Sequence, residues 1–156
     1  MKAIVFDTPG AEEVLVLGDA PNPTLDADGL RIRVHTTSVN RADLLQRQGL
    51  YPPPPGASPL LGLECAGDVI EVGANVTGWK IGDRAMALLP GGGYAEEVTV
   101  HHGSAMHIPD ILSYEEAGAL PEVFLTAYLN LFVLGDLEAG DRALVHGLSL
   151  IHISEP

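Results

Sequence analysis

Cysteine is nearly absent from this chain of 156 residues, and its single thiol, Cys65, excludes an internal disulfide and a cysteine-rich zinc lobe. Basic residues are also scarce, 8 against 21 acidic ones, for a net charge of −13. That balance opposes association with phosphate backbones and anionic lipid surfaces, so nucleic acid is not expected as a partner. No apolar run reaches the roughly 20 residues of a membrane span. The most apolar stretch, between Gly118 and Gly135, is interrupted by Pro121 and Glu122. The start, Met1-Lys2-Ala3-Ile4-Val5-Phe6-Asp7, has no apolar signal core with a small-residue cleavage site and suits a strand. A soluble protein of the reducing cytoplasm, without membrane contact, is the expectation.

What is present is a succession of short β-type runs punctuated by Gly and Pro. They are Ala3–Asp7, Glu13–Leu17, Leu30–Val39, Ala66–Val72, Arg84–Leu88, Tyr94–Val100 and Ala105–Ile108, several with alternating apolar residues, as in Leu30-Arg31-Ile32-Arg33-Val34. Little before Pro109 repeats at helical period, so this region is expected to be mostly β and to close into a barrel or a sandwich. Trp79-Lys80-Ile81-Gly82-Asp83 has the composition of a tight connection. Gly91-Gly92-Gly93 lacks the Lys-Ser/Thr pair of a phosphate loop and is expected to be a flexible turn between hairpin strands.

After Pro109 the texture changes. Ser113 with Glu116 three residues on has the capping-box arrangement, so a helix begins there. Pro121 stops or kinks it, and a second helix is expected from about Glu122 to Leu134, with Phe124, Tyr128, Leu131 and Leu134 on one apolar stripe before Gly135. Asp141-Arg142-Ala143-Leu144-Val145-His146-Gly147 then suits a turn and a buried strand. In a dinucleotide-binding fold a glycine-rich phosphate cradle would follow. The chain continues instead as Leu148-Ser149-Leu150-Ile151-His152-Ile153-Ser154-Glu155-Pro156, whose side chains would obstruct a pyrophosphate. This tail resembles the in-frame translation of a transposase-type sequencing adapter, so residues 148–156 are expected to be non-native; a natural C-terminal strand is the alternative.

Four segments carry a family resemblance: Asn40-Arg41-Ala42-Asp43-Leu44-Leu45-Gln46-Arg47-Gln48-Gly49, Tyr51-Pro52-Pro53-Pro54-Pro55-Gly56-Ala57-Ser58, Gly62-Leu63-Glu64 and Ala87-Leu88-Leu89-Pro90-Gly91-Gly92-Gly93-Tyr94-Ala95-Glu96. Together they resemble the quinone oxidoreductases of the medium-chain dehydrogenase/reductase superfamily, relatives of zeta-crystallin and of the tumour-suppressor-inducible type. In the zinc alcohol dehydrogenases of that superfamily a Cys stands at the place of Asn40 and a His at that of Leu63. An amide and an aliphatic chain replace both here, so the resemblance implies a zinc-independent enzyme with no metal site. It further implies a mainly β protein with some α: a GroES-like β barrel on the substrate side over residues 1–110, then crossing helices and the first strand of a truncated Rossmann dinucleotide-binding domain over 111–147. The implied activity is hydride transfer from NADPH, or NADH, to a quinone or another activated carbonyl or alkene. The chain would be the incomplete, inactive N-terminal part of a homo-oligomeric parent.

The residues themselves leave each role open. The Asn40 amide can hydrogen-bond a nicotinamide or substrate oxygen, or simply sit in a turn at a strand end. Tyr51 opens a Pro-rich loop and could present its ring to a planar acceptor, or pack on its own prolines. These two are the catalytic candidates, and Asn40 with Thr126 the cofactor-binding ones. The resemblance places the Thr126 hydroxyl near the nicotinamide, whereas a helical Thr commonly bonds its own preceding turn. Asp43 could fix the local geometry, although a surface Asp is the default. Glu64 could line the cleft or act structurally. His101 and His102 would point to opposite faces of a strand and, with His107, are expected to be surface histidines. Cys65 is expected to be a small buried residue. An enoyl reductase of the same superfamily, using the same hydride donor without zinc, is the first alternative function. A non-catalytic GroES-like binding module is the second.

Overall fold

Residues 1–144 are described by the structure, a computed structural model. Seven strands form: β1 (Lys2–Val5), β2 (Val16–Asp19), β3 (Gly29–Thr36), β4 (Glu64–Val72), β5 (Arg84–Leu88), β6 (Glu97–His101) and β7 (Ala105–His107). Three α-helices accompany them: α1 (Arg41–Arg47), α2 (Tyr114–Ala117) and α3 (Pro121–Tyr128), the last continuing as a π-type turn through Leu129–Leu134.

Five strands make one antiparallel sheet in the order β6-β3-β4-β5-β7, while β1 and β2 pair separately. The two sets are not independent. The Ile4 N–H donates to the Tyr94 carbonyl at 2.8 Å and the Glu96 N–H to the Lys2 carbonyl at 3.0 Å, curling the structure into a half-barrel. The alternation in β3 has the expected effect, because Leu30 and Ile32 turn inward while Arg31 faces out between two neighbours. Arg31 bridges Glu71 on β4 at 2.9 Å and Glu97 on β6 at 3.5 Å. The inward set, Leu30, Ile32, Cys65, Val69, Ala85, Ala87, Leu89, Val98 and Val100, is one contiguous core. Ala66, Ile108 and Ala117 form a second one that seats α2 behind the sheet.

Two bulges bend β3 against β4, one between Arg31 and Ile32 and one between Val34 and Thr36. They bring the backbones so close at Gly67 that a Cβ there would lie 1.9 Å from the Arg33 carbonyl oxygen. Only glycine tolerates that approach.

The mainly β class with helices and GroES-like architecture agrees with expectation, but several elements differ. Glu12–Val14 forms a 3₁₀ turn, so the second strand begins only at Val16. The third stops at Thr36, and the sixth starts at Glu97 because residues 94–96 are held against β1. Gly91–Gly93 is not a hairpin turn. It is buried, it links strands β5 and β6 that are not neighbours, and a Cβ at Gly93 would lie 2.7 Å from the Glu64 carbonyl oxygen. Helix α1 was not expected at all. His101 and His102 stack with ring centroids 4.7 Å apart instead of facing opposite ways, because His102 leaves the strand into a 3₁₀ turn. Ser113 caps α2 as expected, its hydroxyl accepting the Glu116 N–H. Pro121 opens α3 at its first turn, where its missing N–H costs nothing. Asp141–Leu144 is irregular, and the rest of the anticipated strand, with the 148–156 tail, lies outside the described residues.

Candidate functional site

The site is built on the N-terminus of α1. Asn40 is its N-cap and Asp43 its N3 residue, so that the Asp43 carboxylate accepts the Asn40 N–H at 2.8 Å in a capping box. The helix ends at Arg47 with Gln48 as its C-cap, and Gly49 follows with a φ of +78°, a left-handed conformation natural to glycine. Its inward face is polar, with Asp43 1% and Gln46 6% exposed. Asp43 is therefore no surface residue: besides Asn40 it accepts the Gly62 N–H at 3.0 Å and the Tyr94 hydroxyl at 3.2 Å. Burial pushes its carboxyl above the usual value, the hydrogen bonds from Asn40, Gly62 and Tyr94 working against that rise. Burial and the Asp43 charge likewise raise the Tyr94 hydroxyl.

Asp43 thereby joins the two glycine crossings. Gly62 has a φ of +102°, and a Cβ there would lie 2.6 Å from the Gly93 Cα. The Gly93 N–H reaches the Gly62 carbonyl at 3.0 Å and the Tyr94 N–H reaches Leu61 at 2.9 Å. This close packing fixes the chain entering β4 and so places Glu64.

Glu64 is 0% exposed and Asn40 3%. Glu64 Oε1 accepts from the Asn40 side-chain nitrogen at 2.8 Å and from the Ser38 hydroxyl; Oε2 accepts the Glu122 backbone N–H at 2.9 Å, in the first turn of α3. Asn40 also donates to the Ser38 oxygen at 3.2 Å. A carboxylate accepts only, so the Asn40 group facing it is the NH₂ and the amide orientation is fixed by chemistry. The helix N-terminus supplies further partial positive charge.

Beside this network the half-buried Glu122 carboxyl has one buried oxygen, Oε2, without a partner. Burial, then the nearby Glu64 charge, raise its protonation equilibrium, and the Thr126 hydroxyl one turn on pulls it back. Thr126 is half-buried on α3, and its carbonyl accepts the Asn130 side-chain N–H at 2.8 Å. Asn40, Glu64, Glu122 and Thr126 thus form a chain of neighbours linking α1, β4 and α3. Tyr51 stands apart from these hydrogen bonds, 42% exposed on the Pro-rich loop.

Asp43, Ser38 and Glu122 carried no strong signal as site residues in the sequence. The Asn40/Asp43 spacing was the one usable clue, since it satisfies the N-cap to N3 rule. His107 stacks on Trp79 at 3.8 Å, away from this network. Among the described residues no group of three His, Cys, Asp or Glu could hold a metal ion, and no helix is long and apolar enough to cross a membrane.

Known proteins resemble this chain in sequence and fold. Residues 26–110 match the family described as alcohol dehydrogenase GroES-like domain. The human synaptic vesicle membrane protein VAT-1 homolog is 44% identical over 117 residues, covering 75% of this chain and 30% of that protein. Among solved structures, the quinone oxidoreductase from Coxiella burnetii superposes with a TM-score of 0.79 at 33% identity, over 90% of this chain and 47% of that one. The CurK enoyl reductase gives 0.81 at 28%, over 90% and 45%. Escherichia coli quinone oxidoreductase complexed with NADPH gives 0.71 at 29%, over 84% and 40%. The chain spans about a third of the length of the curated relatives it matches and under half of these structures. It belongs to the alcohol dehydrogenase GroES-like domain family, on the quinone-oxidoreductase-like side of the medium-chain dehydrogenase/reductase superfamily.

Proposed function

We propose that this chain is the substrate-side portion of a zinc-independent, NAD(P)H-dependent quinone oxidoreductase. The observation that carries the reading is the donor set at positions 40 and 63. Where the zinc-dependent members place a thiolate and an imidazole, this chain has a carboxamide whose NH₂ is held by Glu64 and Ser38, followed by the aliphatic Leu63. Such a site can position and hydrogen-bond but cannot bind a Lewis-acid metal through those two residues.

The nicotinamide end of a dinucleotide is assigned to two of the described residues. Asn40 and Thr126 would hold that end, Asn40 through the oxygen its bound NH₂ leaves over. Bound NADPH, or NADH, supplies a hydride; with a proton from solvent this converts a quinone to the hydroquinone. The protein's part is alignment and exclusion of water. Tyr51, rigidly mounted on its prolines, is assigned to the face of the acceptor, and in that role it and Asn40 are the catalytic residues. Residues 111–147 are assigned to the start of the dinucleotide-binding domain and 148–156 to a non-native tail, and the parent is assigned as a cytoplasmic homo-oligomer without membrane or nucleic-acid contact.

The enoyl reductase reading has a specific support in the likeness to the CurK enoyl reductase, since an activated alkene can accept the same hydride. The experiment is NADPH oxidation by the full-length parent with an ortho-quinone and, in parallel, with an enoyl thioester. Quinone turnover that falls in Asn40→Ala supports the proposal. Turnover of the thioester alone selects the enoyl reductase. Tight absence of nicotinamide binding in the parent would leave only a GroES-like binding module.

A further inference from the structure

Glu64 is a buried acid that, among the described residues, no Lys, Arg or His hydrogen-bonds, on an element, β4, that the chemistry above does not use. Burying a carboxylate is expensive unless donors occupy its oxygens. Here they do, and they come from three places in the chain: Ser38 and Asn40 before α1 on Oε1, and the Glu122 N–H 58 residues further on at Oε2. The Thr37 hydroxyl adds a bond to the Glu64 carbonyl at 2.7 Å, fixing the backbone from which the side chain projects.

We infer that Glu64 is the positioning residue that decides which edge of the Asn40 carboxamide faces the cofactor, and that it sets Asn40 in register with α3 and hence with Thr126. This role rests on the hydride-transfer reading above. The two donors differ in what they allow. The Glu122 backbone N–H can only donate, so an acceptor must always face it. The Asn40 amide can turn over, exchanging NH₂ for oxygen, and the Ser38 hydroxyl can reverse with it. Glu64→Gln is therefore absorbed by the network: its oxygen stays on Glu122, its new NH₂ faces Asn40, and Asn40 flips, its oxygen leaving the capping box, where the Asp43 N–H keeps the Asn40 main-chain carbonyl at 3.1 Å. The fold survives, but Asn40 then presents a donor where it had presented an acceptor.

The reciprocal change restores the polarity. In Glu64→Gln combined with Asn40→Asp, the new carboxylate accepts from the new amide with one oxygen and presents an acceptor with the other, and net charge is unchanged. Asn40→Asp alone sets two carboxylates against each other at the present 2.8 Å contact.

The test is steady-state NADPH oxidation with an ortho-quinone and thermal unfolding, on the full-length parent in four forms: wild type, each single variant and the pair. Glu64→Gln should lower kcat about ten- to a hundredfold, the range of a charge-assisted hydrogen bond, with a nearly unchanged unfolding midpoint. Asn40→Asp should lose both kcat and midpoint, and the pair should recover at least about tenfold in kcat over either single form, a coupling that a merely structural role would not produce. A turning-over parent in which Glu64→Gln keeps its full kcat, or in which the pair is no better than the worse single form, overturns the role of Glu64 alone. A parent that binds NADPH but turns over no quinone overturns the hydride-transfer reading to quinones and this role with it.

Discussion

Asp43→Ala tests whether the polar face of α1 holds the site together. The carboxylate accepts from three donors, the Asn40 N–H, the Gly62 N–H and the Tyr94 hydroxyl. Tyr94 keeps an alternative, because its hydroxyl also reaches the Ser38 carbonyl at 3.1 Å. The two backbone N–H groups have none and would be left buried, at about 1–3 kcal/mol each. Against that stands relief of the burial that raises the Asp43 carboxyl, so a net loss of about 3 kcal/mol is expected, a large share of the roughly 5–15 kcal/mol that stabilises a domain. With a urea dependence of about 1–3 kcal/mol per molar, the unfolding midpoint should fall by about 1–3 M. Asp43→Asn keeps one acceptor oxygen and should lose roughly half as much. The linkage has a definite sign. The native carboxyl keeps its proton to higher pH than the unfolded chain, so its contribution favours folding most below the ordinary value of 3.8 and declines as pH rises through the shifted one. An alanine variant within about 0.5 kcal/mol of wild type, or an asparagine variant more stable than wild type, would refute the view that these hydrogen bonds outweigh the desolvation of the charge.

Three further outcomes are expected. Cys65 is wholly buried, and burial, with the Glu64 charge, pushes its thiol up to about 12, so iodoacetamide at neutral pH should label it only in denaturant; rapid native labelling would contradict that burial. Asp68 has the opposite linkage to Asp43. Burial raises its carboxyl, but hydrogen bonds from Tyr114 and His35 and the charges of His35 and Arg33 outweigh it, so stability present above 3.8 should be lost as pH falls through the lowered value, and Asp68→Asn should flatten that acid limb. Phe124 is 64% and Leu134 69% exposed, and between them in the chain the Tyr128 and Phe132 rings meet in a tilted pair with centroids 5.3 Å apart. This apolar face of α3 and the following turn should drive self-association of the chain in sedimentation, relieved by Phe124→Glu; a monomer at high concentration would argue against it.

The sheet was legible in the sequence because its code is local. Leu30, Ile32, Val98 and Val100 alternate with outward residues, and alternation alone assigns both the strand and its inner face. Helix α1 was hidden for the same kind of reason in reverse. A helix is found by an apolar stripe, and the inward positions of α1 are Asp43 and Gln46, which read as surface until their partners are known. Those partners lie at Gly62, Tyr94 and Pro59, so the burial that makes the helix is decided by contacts far along the chain. Gly91–Gly93 misled similarly: three glycines suggest a hairpin turn, yet they are buried, and at Gly93 a Cβ would meet the Glu64 carbonyl in the crossing that seats it.

The candidate site divides along that line. Asn40 and Thr126 could be singled out from sequence, because the types of side chain suited to a nicotinamide are few and the family resemblance marked their positions. What holds them could not. Glu64 meets Asn40 across 24 residues and α3 across 58, and neither spacing has a sequence signature. Only the fold shows that an acid with no cation among its described hydrogen-bond partners is kept buried by an amide, a hydroxyl and the first turn of a helix. If the Asn40 and Glu64 substitutions compensate each other, the residues that carry out the chemistry and the residue that orients them were separated in the sequence for a physical reason: the first are chosen by what they offer a ligand, the second by what two distant segments need from it.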